Sequence, residues 1–473
     1  MMNSLKIFPK RIEILTVLFL LISYAFYSQQ KPNIIYINID DLGYTDLSCY
    51  GSTFYETPNI DKLATKGIKF TNAYASASNC APSRASLFSG MYSPRHGIYT
   101  VNSSERGKSE HRKLIPTPNK TILHDSIITI AETLKKIGYT TASIGKWHLG
   151  EDPKSQGFDI NIAGTHAGHP TSYFSPYNNK ELKNGPKGEY LTDRLTNEAI
   201  SFLNTYKNTP FFLYMTYYTV HTPIQGKKEL TEKYQHKKVT ENHNNPNYAA
   251  MVEAMDFNVG KIINTLEKLN LTKNTLIIFT SDNGGLHTVS KQTPLKHGKG
   301  SYYEGGTRVP LIISWKNKIK PRLTTETPVN NIDFYPTFLD ITNIPPHKKQ
   351  VLDGISLAPI LFETGKIKKR PLFWHFPIYL QAEKGFNTNT GRDPYFRTRP
   401  GTTMRYGKWK LHHYFEHNEI ELYNLEKDIS EENNLAKSKP TLTAKLLKKM
   451  NSWRKKTNAP VPSQLNPSYK KQD

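Results

Sequence analysis

The sequence predicts an α/β layered fold with a mainly parallel central sheet, followed by a small antiparallel sheet subdomain. Three observations predict it: near-continuous apolar runs, helical patterns between them, and loss of that alternation from about residue 365. The first run, Ile34 to Ile39, reads as a strand buried on both faces, as in a parallel sheet. Runs of the same kind are Ile68 to Ala75, Thr140 to Ile144, Phe211 to Tyr218, Thr275 to Thr280 and Val309 to Ser314. Helical patterns fall between them at about 123–137, 191–206, 248–269 and 331–342. Past residue 365, Pro371 to Phe376, Thr402 to Tyr414 and Glu419 to Asn424 read as short strands with no helices between, before a polar helix at about 440–455. The expected division is a signal peptide over 1–28, a large α/β domain over 29–365, a small α+β subdomain over 366–460 and a disordered tail over 461–473.

The first 28 residues combine a basic start (Lys6, Lys10, Arg11) with an apolar run from Ile14 to Ala25, too short for a membrane span of about 20 residues. Ser23, Ala25 and Ser28 each offer a small residue for cleavage, and no cysteine follows closely enough for lipid anchoring. Export to the periplasm or medium, with no stable membrane anchor, is the expectation. Two cysteines, Cys49 and Cys80, exclude a disulfide-rich scaffold. The formal charge of +23 suits anionic partners such as sulfated or carboxylated polysaccharides, nucleic acid or anionic membranes. Lysines are scattered without a long single-sign block, so charge alone selects no ligand.

Six stretches carry chemistry. Cys80 precedes Ala81-Pro82-Ser83-Arg84 at what reads as a helix start, where the helix dipole favours a negatively charged reacting group. Asp40 and Asp41 follow the first strand, and Asp282 and Asn283 follow a later one; ligands collect at such strand ends. Three carboxylates and an amide oxygen are hard donors, which suit calcium or magnesium better than zinc. Gly145-Lys146-Trp147-His148 closes a strand, with Lys146 and His148 on one side by alternation. His221 follows the Phe211 to Tyr218 strand, and Lys299 lies in a glycine-rich stretch from His297 to Pro310.

Together these stretches resemble the type I, formylglycine-dependent sulfatases of the alkaline phosphatase superfamily, over roughly residues 32–425. Asn79 to Gly90 is similar to the family signature, departing only at Ser89, where Thr, Ala or Arg is more usual. Gly138 to His148 matches the second signature at its defined positions. The resemblance implies an alkaline-phosphatase-like α/β sandwich with a small C-terminal sheet. It implies oxidation of Cys80 to formylglycine (3-oxoalanine) by a sulfatase-maturing enzyme; the hydrated aldehyde is the family's nucleophile. Asp40, Asp41, Cys80, Asp282 and Asn283 become the metal set, for calcium in preference to magnesium. Asn283 stands where two-metal phosphatases carry histidine, which points to one ion. Cys80, Arg84, Lys146, His148, His221 and Lys299 become the catalytic set. His221 is then the acid for the leaving alcohol and His148 the base that expels sulfate. Lys299 is the counterpart of the family's sulfate-holding lysine, with Lys296 the competing candidate and His297 an accessory residue. A Cys49–Cys80 disulfide would consume the nucleophile and is not expected.

Specificity lies outside these motifs. His166, His169, Tyr173 and Tyr177 in a Gly/His-rich loop, and Arg392, Arg397, Arg399 and Arg405 in a late loop, are candidates to meet sugar rings and their anionic groups. The expected partner is a sulfated glycan rather than nucleic acid. The competing readings are a phosphonate monoester or phosphodiester hydrolase of the same superfamily and a non-catalytic polyanion-binding protein.

Overall fold

The protein is described by a computed structural model over residues 31–382 and 394–471; the expected signal peptide and Arg392 lie outside these residues. Sixteen strands are present among the described residues. In the first part they are β1 (Asn33–Ile39), β2 (Ile68–Phe70), β3 (Ala73–Tyr74), β4 (Thr140–Gly145), β5 (Ile160–Ile162), β6 (Phe211–Thr216), β7 (Thr275–Ser281), β8 (Leu311–Ser314), β9 (Leu323–Thr325) and β10 (Val329–Asn330). Eight of them form one sheet in the order β5-β4-β6-β1-β7-β8-β2-β9, parallel except where β8 runs against β7 and β2.

Strand β1 lies at the middle of this sheet because both of its faces are apolar. Ile35, Ile37 and Ile39 enter one core with the Leu191–Tyr206 and Pro246–Lys268 helices. Ile34 and Tyr36 enter the opposite core with the Cys80–Ser89, Ile130–Lys136 and Phe334–Ile341 helices. This is the two-sided burial that unbroken apolar strands require. The expected mixed α/β architecture is therefore present, with differences of extent. Ile68 to Ala75 is broken into β2 and β3. The helix expected at about 123–137 begins only at Ile130, where Thr129 and Glu132 form a reciprocal capping box.

The second sheet is antiparallel, β11-β14-β15-β16, from β11 (Leu372–Phe376), a short β12 (Leu380–Gln381) paired with β13 (Phe396–Thr398), β14 (Gly401–Tyr406), β15 (Trp409–Tyr414) and β16 (Glu419–Asn424). The single strand expected over Thr402 to Tyr414 is a hairpin: Gly407 at φ 62° turns the chain and pairs Tyr406 with Trp409. The Pro440–Lys456 helix covers one face of this sheet, with Leu446 and Met450 packed on Phe373, Met404, Leu411 and Leu422.

The tail expected to be disordered from 461 is instead paired as far as it is described. Ile115 N donates to Gln464 O (2.9 Å), Asn466 N to Lys113 O (2.9 Å) and Lys470 N to Glu110 O (2.9 Å). Polar composition hid a segment held by backbone bonds rather than by apolar burial. Both cysteines are free, as expected. No helix of the described residues is long and apolar enough to cross a membrane.

Candidate active site

Four neighbouring parallel strands, β4, β6, β1 and β7, end at the same edge, and each delivers residues there. β1 is followed by Asp40 and Asp41, β7 by Asp282 and Asn283, β4 by Lys146 to His148, and β6 by the turn to His221. Close backbone approach makes this possible: a Cβ on Gly145 would lie 1.8 Å from Thr216 O, and one on Gly284 would lie 1.9 Å from Gly305 O. Asp41 and His148 hold left-handed backbone angles (φ 61° and 67°), conformations that cost about 1–3 kcal/mol and persist at sites their surroundings over-determine.

Cys80 opens the Cys80–Ser89 helix facing this edge and is buried, with Sγ 3.5 Å from Asp40 Oδ1 and 3.9 Å from Asp41 Oδ1. Burial pushes its thiol up to about 12, against the pull of Lys146 and Lys299, so the unmodified residue is a neutral thiol rather than a thiolate. Lys146 Nζ donates to Asp40 Oδ2 and Lys299 Nζ to Asp41 Oδ2, both at 2.7 Å. Burial, with Asp282 and Asp41 nearby, pushes Asp40 up to about 7 even with Lys146 beside it. Burial also opposes the charge on Asp41, but Lys299 and His221 hold that carboxyl below its usual range.

Arg84 is fully buried behind the site. Its Nε donates to Asp282 Oδ2 (2.8 Å), and one Nη donates to the Lys146 carbonyl (2.8 Å) and the Thr216 hydroxyl (2.6 Å). The guanidinium thus ties together three of the four strand ends. His221 presents Nε2 3.6 Å from Asp41 Oδ2, while its Nδ1 donates to the Thr222 carbonyl at 2.8 Å. Burial and the charge of Lys299 hold its imidazole well below the usual histidine range; burial with Lys146 and Arg84 does the same to His148. Lys299, rather than Lys296, lies within this cluster. Lys296 turns away to the Glu431 carbonyl (3.0 Å) and the Tyr303 ring (4.3 Å), and His297 stacks on Tyr303.

The oxygen donors at this edge fit a hard divalent cation. Asp40, Asp41, Cys80 and His221 bring one ligand atom each within 4.8 Å of one another. Asn283 donates its amide to Asp41 Oδ1 (2.8 Å), which leaves a buried Asn283 Oδ1 with no hydrogen-bond partner among the described residues. An unpaired buried amide oxygen beside two carboxylates is an arrangement a cation completes. Asp282, expected as a ligand, divides itself between Arg84 and the Asp41 backbone N–H (3.3 Å).

The loop candidates separate into two groups. His166 and His169 reach the site: His166 packs edge-on to His148 (centroids 6.1 Å) and His169 stacks parallel to His221 (6.1 Å). A cavity of about 250 Å³ adjoins both, lined also by Glu151, Asn179 and Lys180. Arg397 lies against the site loop, donating to Lys299 O at 3.3 Å. Arg399 instead pairs with Glu416 at 2.7 Å, and Arg405 is buried against Tyr74 and Asn72. Tyr173 is buried too; its hydroxyl donates to the carbonyls of Tyr218 (2.5 Å) and His221 (2.9 Å), bracing the His221 turn rather than facing a sugar. Tyr177 donates to Glu189 (2.9 Å).

Two features escaped the sequence reading. Gly168, between the loop histidines, packs against the His148 ring so closely that a Cβ there would lie 2.5 Å from it; the glycine was visible, its neighbour was not. The Lys299 loop is anchored by Glu304 to Lys410 and Glu431 of the second sheet region, residues with no pattern in sequence to join them.

A family model described as sulfatase matches residues 32–344, and one described as the C-terminal region of N-sulphoglucosamine sulphohydrolase matches residues 297–456. A sulfatase of Formosa agariphila is 34% identical, covering 92% of this chain and 90% of its own. An N-acetylgalactosamine-6-O-sulfatase of Bacteroides thetaiotaomicron is 29% identical over 89% of this chain and 92% of its own. The crystal structure of Ps i-CgsB in complex with k-i-k-neocarrahexaose aligns with a TM-score of 0.74 and 32% identity, over 92% of this chain and 95% of that one.

Proposed function

The chain belongs to the sulfatase family, and from that premise we propose that it hydrolyses sulfate monoesters on sulfated polysaccharides or oligosaccharides, using a formylglycine made from Cys80 and a bound calcium ion. One observation carries the reading: Cys80 opens a buried helix 3.5 Å from Asp40, between two lysines that each neutralise a separate carboxylate. The glycan assignment draws on the names of the relatives, an N-acetylgalactosamine-6-O-sulfatase and a protein solved with a neocarrahexaose. The leader expected over 1–28 and a strongly basic composition suit an exported enzyme meeting an anionic polymer.

Formylglycine supplies a hydrated-aldehyde hydroxyl to attack sulfur, and the divalent cation supplies charge against it and the sulfate oxygens. The residues of the chain do the rest. Lys146 and Lys299, both held charged by their carboxylate partners, meet the oxygens of the incoming sulfate. Arg84 keeps the Asp282 and Lys146 strand ends in register. His221, its Nδ1 fixed by Thr222, aims Nε2 at the leaving oxygen; the arriving sulfate charge offsets Lys299 and lets that nitrogen carry the proton it gives away. His148, neutral on the other side, takes a proton during sulfate release. The fit of Gly168 under His148 makes a sharp test. Gly168→Ala is expected to push the imidazole aside and lower kcat by about 10- to 100-fold, with an unchanged melting temperature.

Peptide mass spectrometry across residues 74–95, on protein co-produced with a sulfatase-maturing enzyme, tests the central claim. The expected result is a loss of about 18 Da at Cys80, the change from CH₂SH to CHO. An intact thiol beside a competent maturase sinks the reading and favours polyanion binding without catalysis. Chelation tests the metal. EDTA treatment is expected to lower turnover of 4-methylumbelliferyl sulfate by about 100-fold or more, with calcium restoring it better than magnesium, because the Asp40 and Asp41 carboxylates, the Asn283 amide oxygen and the formylglycine oxygen at position 80 are hard donors that calcium accepts in flexible geometry. Full activity in excess chelator would exclude an exchangeable ion.

A further inference from the structure

The turn between β14 and β15 carries a basic and aromatic surface that touches none of the catalytic cluster. Two ammonium groups sit over one ring: Lys369 Nζ is 5.3 Å and Lys449 Nζ 5.2 Å from the Tyr406 centroid. Lys408 Nζ lies 5.8 Å from the adjacent Trp409 ring. Gly407 makes room for the first of these, because a Cβ there would lie 2.8 Å from Lys369 Nζ. Lys369 ends the run Lys366-Ile367-Lys368-Lys369, exposed at each lysine. Lys449 belongs to the Pro440–Lys456 helix, where Lys445 and Lys448 share its outward face by i, i+3 and i, i+4 spacing and are likewise exposed.

These charges are not balanced by the protein. Lys408 has one surface partner, Glu426, at 3.5 Å, while Lys366, Lys368, Lys369, Lys445, Lys448 and Lys449 make no ion pair among the described residues. The two ammonium groups on Tyr406 are no more than about 10 Å apart, within the screening length at low salt, so they repel there and are largely screened as salt rises. Such crowding is unfavourable in the free protein and is relieved by an anion spanning several lysines. The half-buried Tyr406 and Trp409 rings add flat faces of the kind that pack on sugar rings. Lysines supply point charges for sulfates at variable spacing. Arginine, the residue of bidentate phosphate recognition, appears beside this turn as Arg370, which is committed to Asp333, and Arg405, which is committed to the Gly407 carbonyl, Asn72 and Tyr74.

We propose that this face is a non-catalytic docking surface for a sulfated polysaccharide chain, which holds the polymer while the cleft at Cys80 works on one of its esters. The proposal rests on the sulfated-glycan reading given above. It implies that polymer affinity and turnover of small esters are separable properties of the molecule.

The test is a quadruple variant, Lys369→Gln, Lys445→Gln, Lys448→Gln and Lys449→Gln, beside a matched control, Lys62→Gln, Lys268→Gln, Lys273→Gln and Lys316→Gln. Binding of fluorescein-labelled dextran sulfate is followed by anisotropy from 50 mM to 300 mM salt, with 4-methylumbelliferyl sulfate turnover measured in parallel. The patch variant is expected to bind dextran sulfate about tenfold more weakly at low salt and with a shallower salt dependence, while the control binds as wild type does. Turnover of the small ester is expected to be unchanged in both. Equal affinity of patch variant and wild type overturns the proposal, as does an equal loss in the control, which would make the effect one of net charge. A duplex DNA that binds as tightly as dextran sulfate and is lost in the same variant overturns the glycan assignment. Failure of the wild-type protein to cleave the small ester would instead count against the sulfatase mechanism, and is read independently of binding.

Discussion

Cys80→Ser is expected to lower turnover of an aryl sulfate by about 10³-fold or more while leaving the melting temperature within a degree or two, because the site loses a reaction step rather than a contact. The buried thiol makes no strong hydrogen bond, its nearest oxygens being 3.5 and 3.9 Å away, so a hydroxyl of similar size fits with little strain. A serine hydroxyl at that point can accept sulfate but has no second hydroxyl through which to expel it, so turnover stalls after the first transfer. The native thiol is no substitute, since burial keeps it protonated to about pH 12. A single-turnover burst with slow release in the variant fits this account. Wild-type steady-state turnover in Cys80→Ser would refute it, and would leave direct attack by water as the surviving mechanism.

The sulfatase core was legible because each of its parts has a local signature. Ile34 to Ile39 is apolar on both faces, so it could only be an interior strand, and the carboxylates after it had to lie at a strand end. The same logic located Lys146 and His221, each following an apolar run. What the sequence withheld depends on partners far away in the chain. Arg399 and Arg405 looked like loop cations free for substrate, yet Glu416 takes the first, and Tyr74, more than 300 residues earlier, takes the second. Strand alternation offered a hint for Arg405, since it is followed by the Gly407 turn and faces inward beside Thr403. Tyr173 read as an exposed sugar platform because its loop is polar, whereas its ring is buried and its hydroxyl serves the His221 turn.

The buried lysine of the second sheet should matter far more for stability than the Cys80 thiol does. Lys410 Nζ lies 2.9 Å from Glu304 and 3.2 Å from Glu431, and all three side chains are fully buried. His412, two residues along the same strand, faces Glu431 at 3.1 Å, and Glu431 also accepts the Glu304 backbone N–H at 2.6 Å. Lys410→Met leaves the buried Glu431 without its cation and Glu304 with Arg308 alone (3.3 Å), a loss expected to cost about 3–5 kcal/mol and to lower the melting temperature by several degrees. The sign of its pH dependence follows from Glu431. Burial and Glu304 already push that carboxyl up to about 7 with Lys410 present, and removing the lysine raises it further. Between about pH 5 and 8 the folded variant therefore holds a proton that the unfolded chain releases, so its stability falls as pH rises and the deficit is smallest near pH 5. Because Glu304 ends the loop that carries Lys299, inhibition by inorganic sulfate should weaken in the same variant. Adding Glu304→Gln and Glu431→Gln to Lys410→Met should recover much of the stability by removing the stranded charges. A control at a distant buried carboxylate, Asp256→Asn, where Asp256 caps the Pro58–Thr65 helix through Asn59 and Ile60, should lose stability without altering sulfate inhibition. If Lys410→Met melts like the wild type across that pH range, the second sheet is merely packed against the Lys299 loop and does not electrostatically hold it.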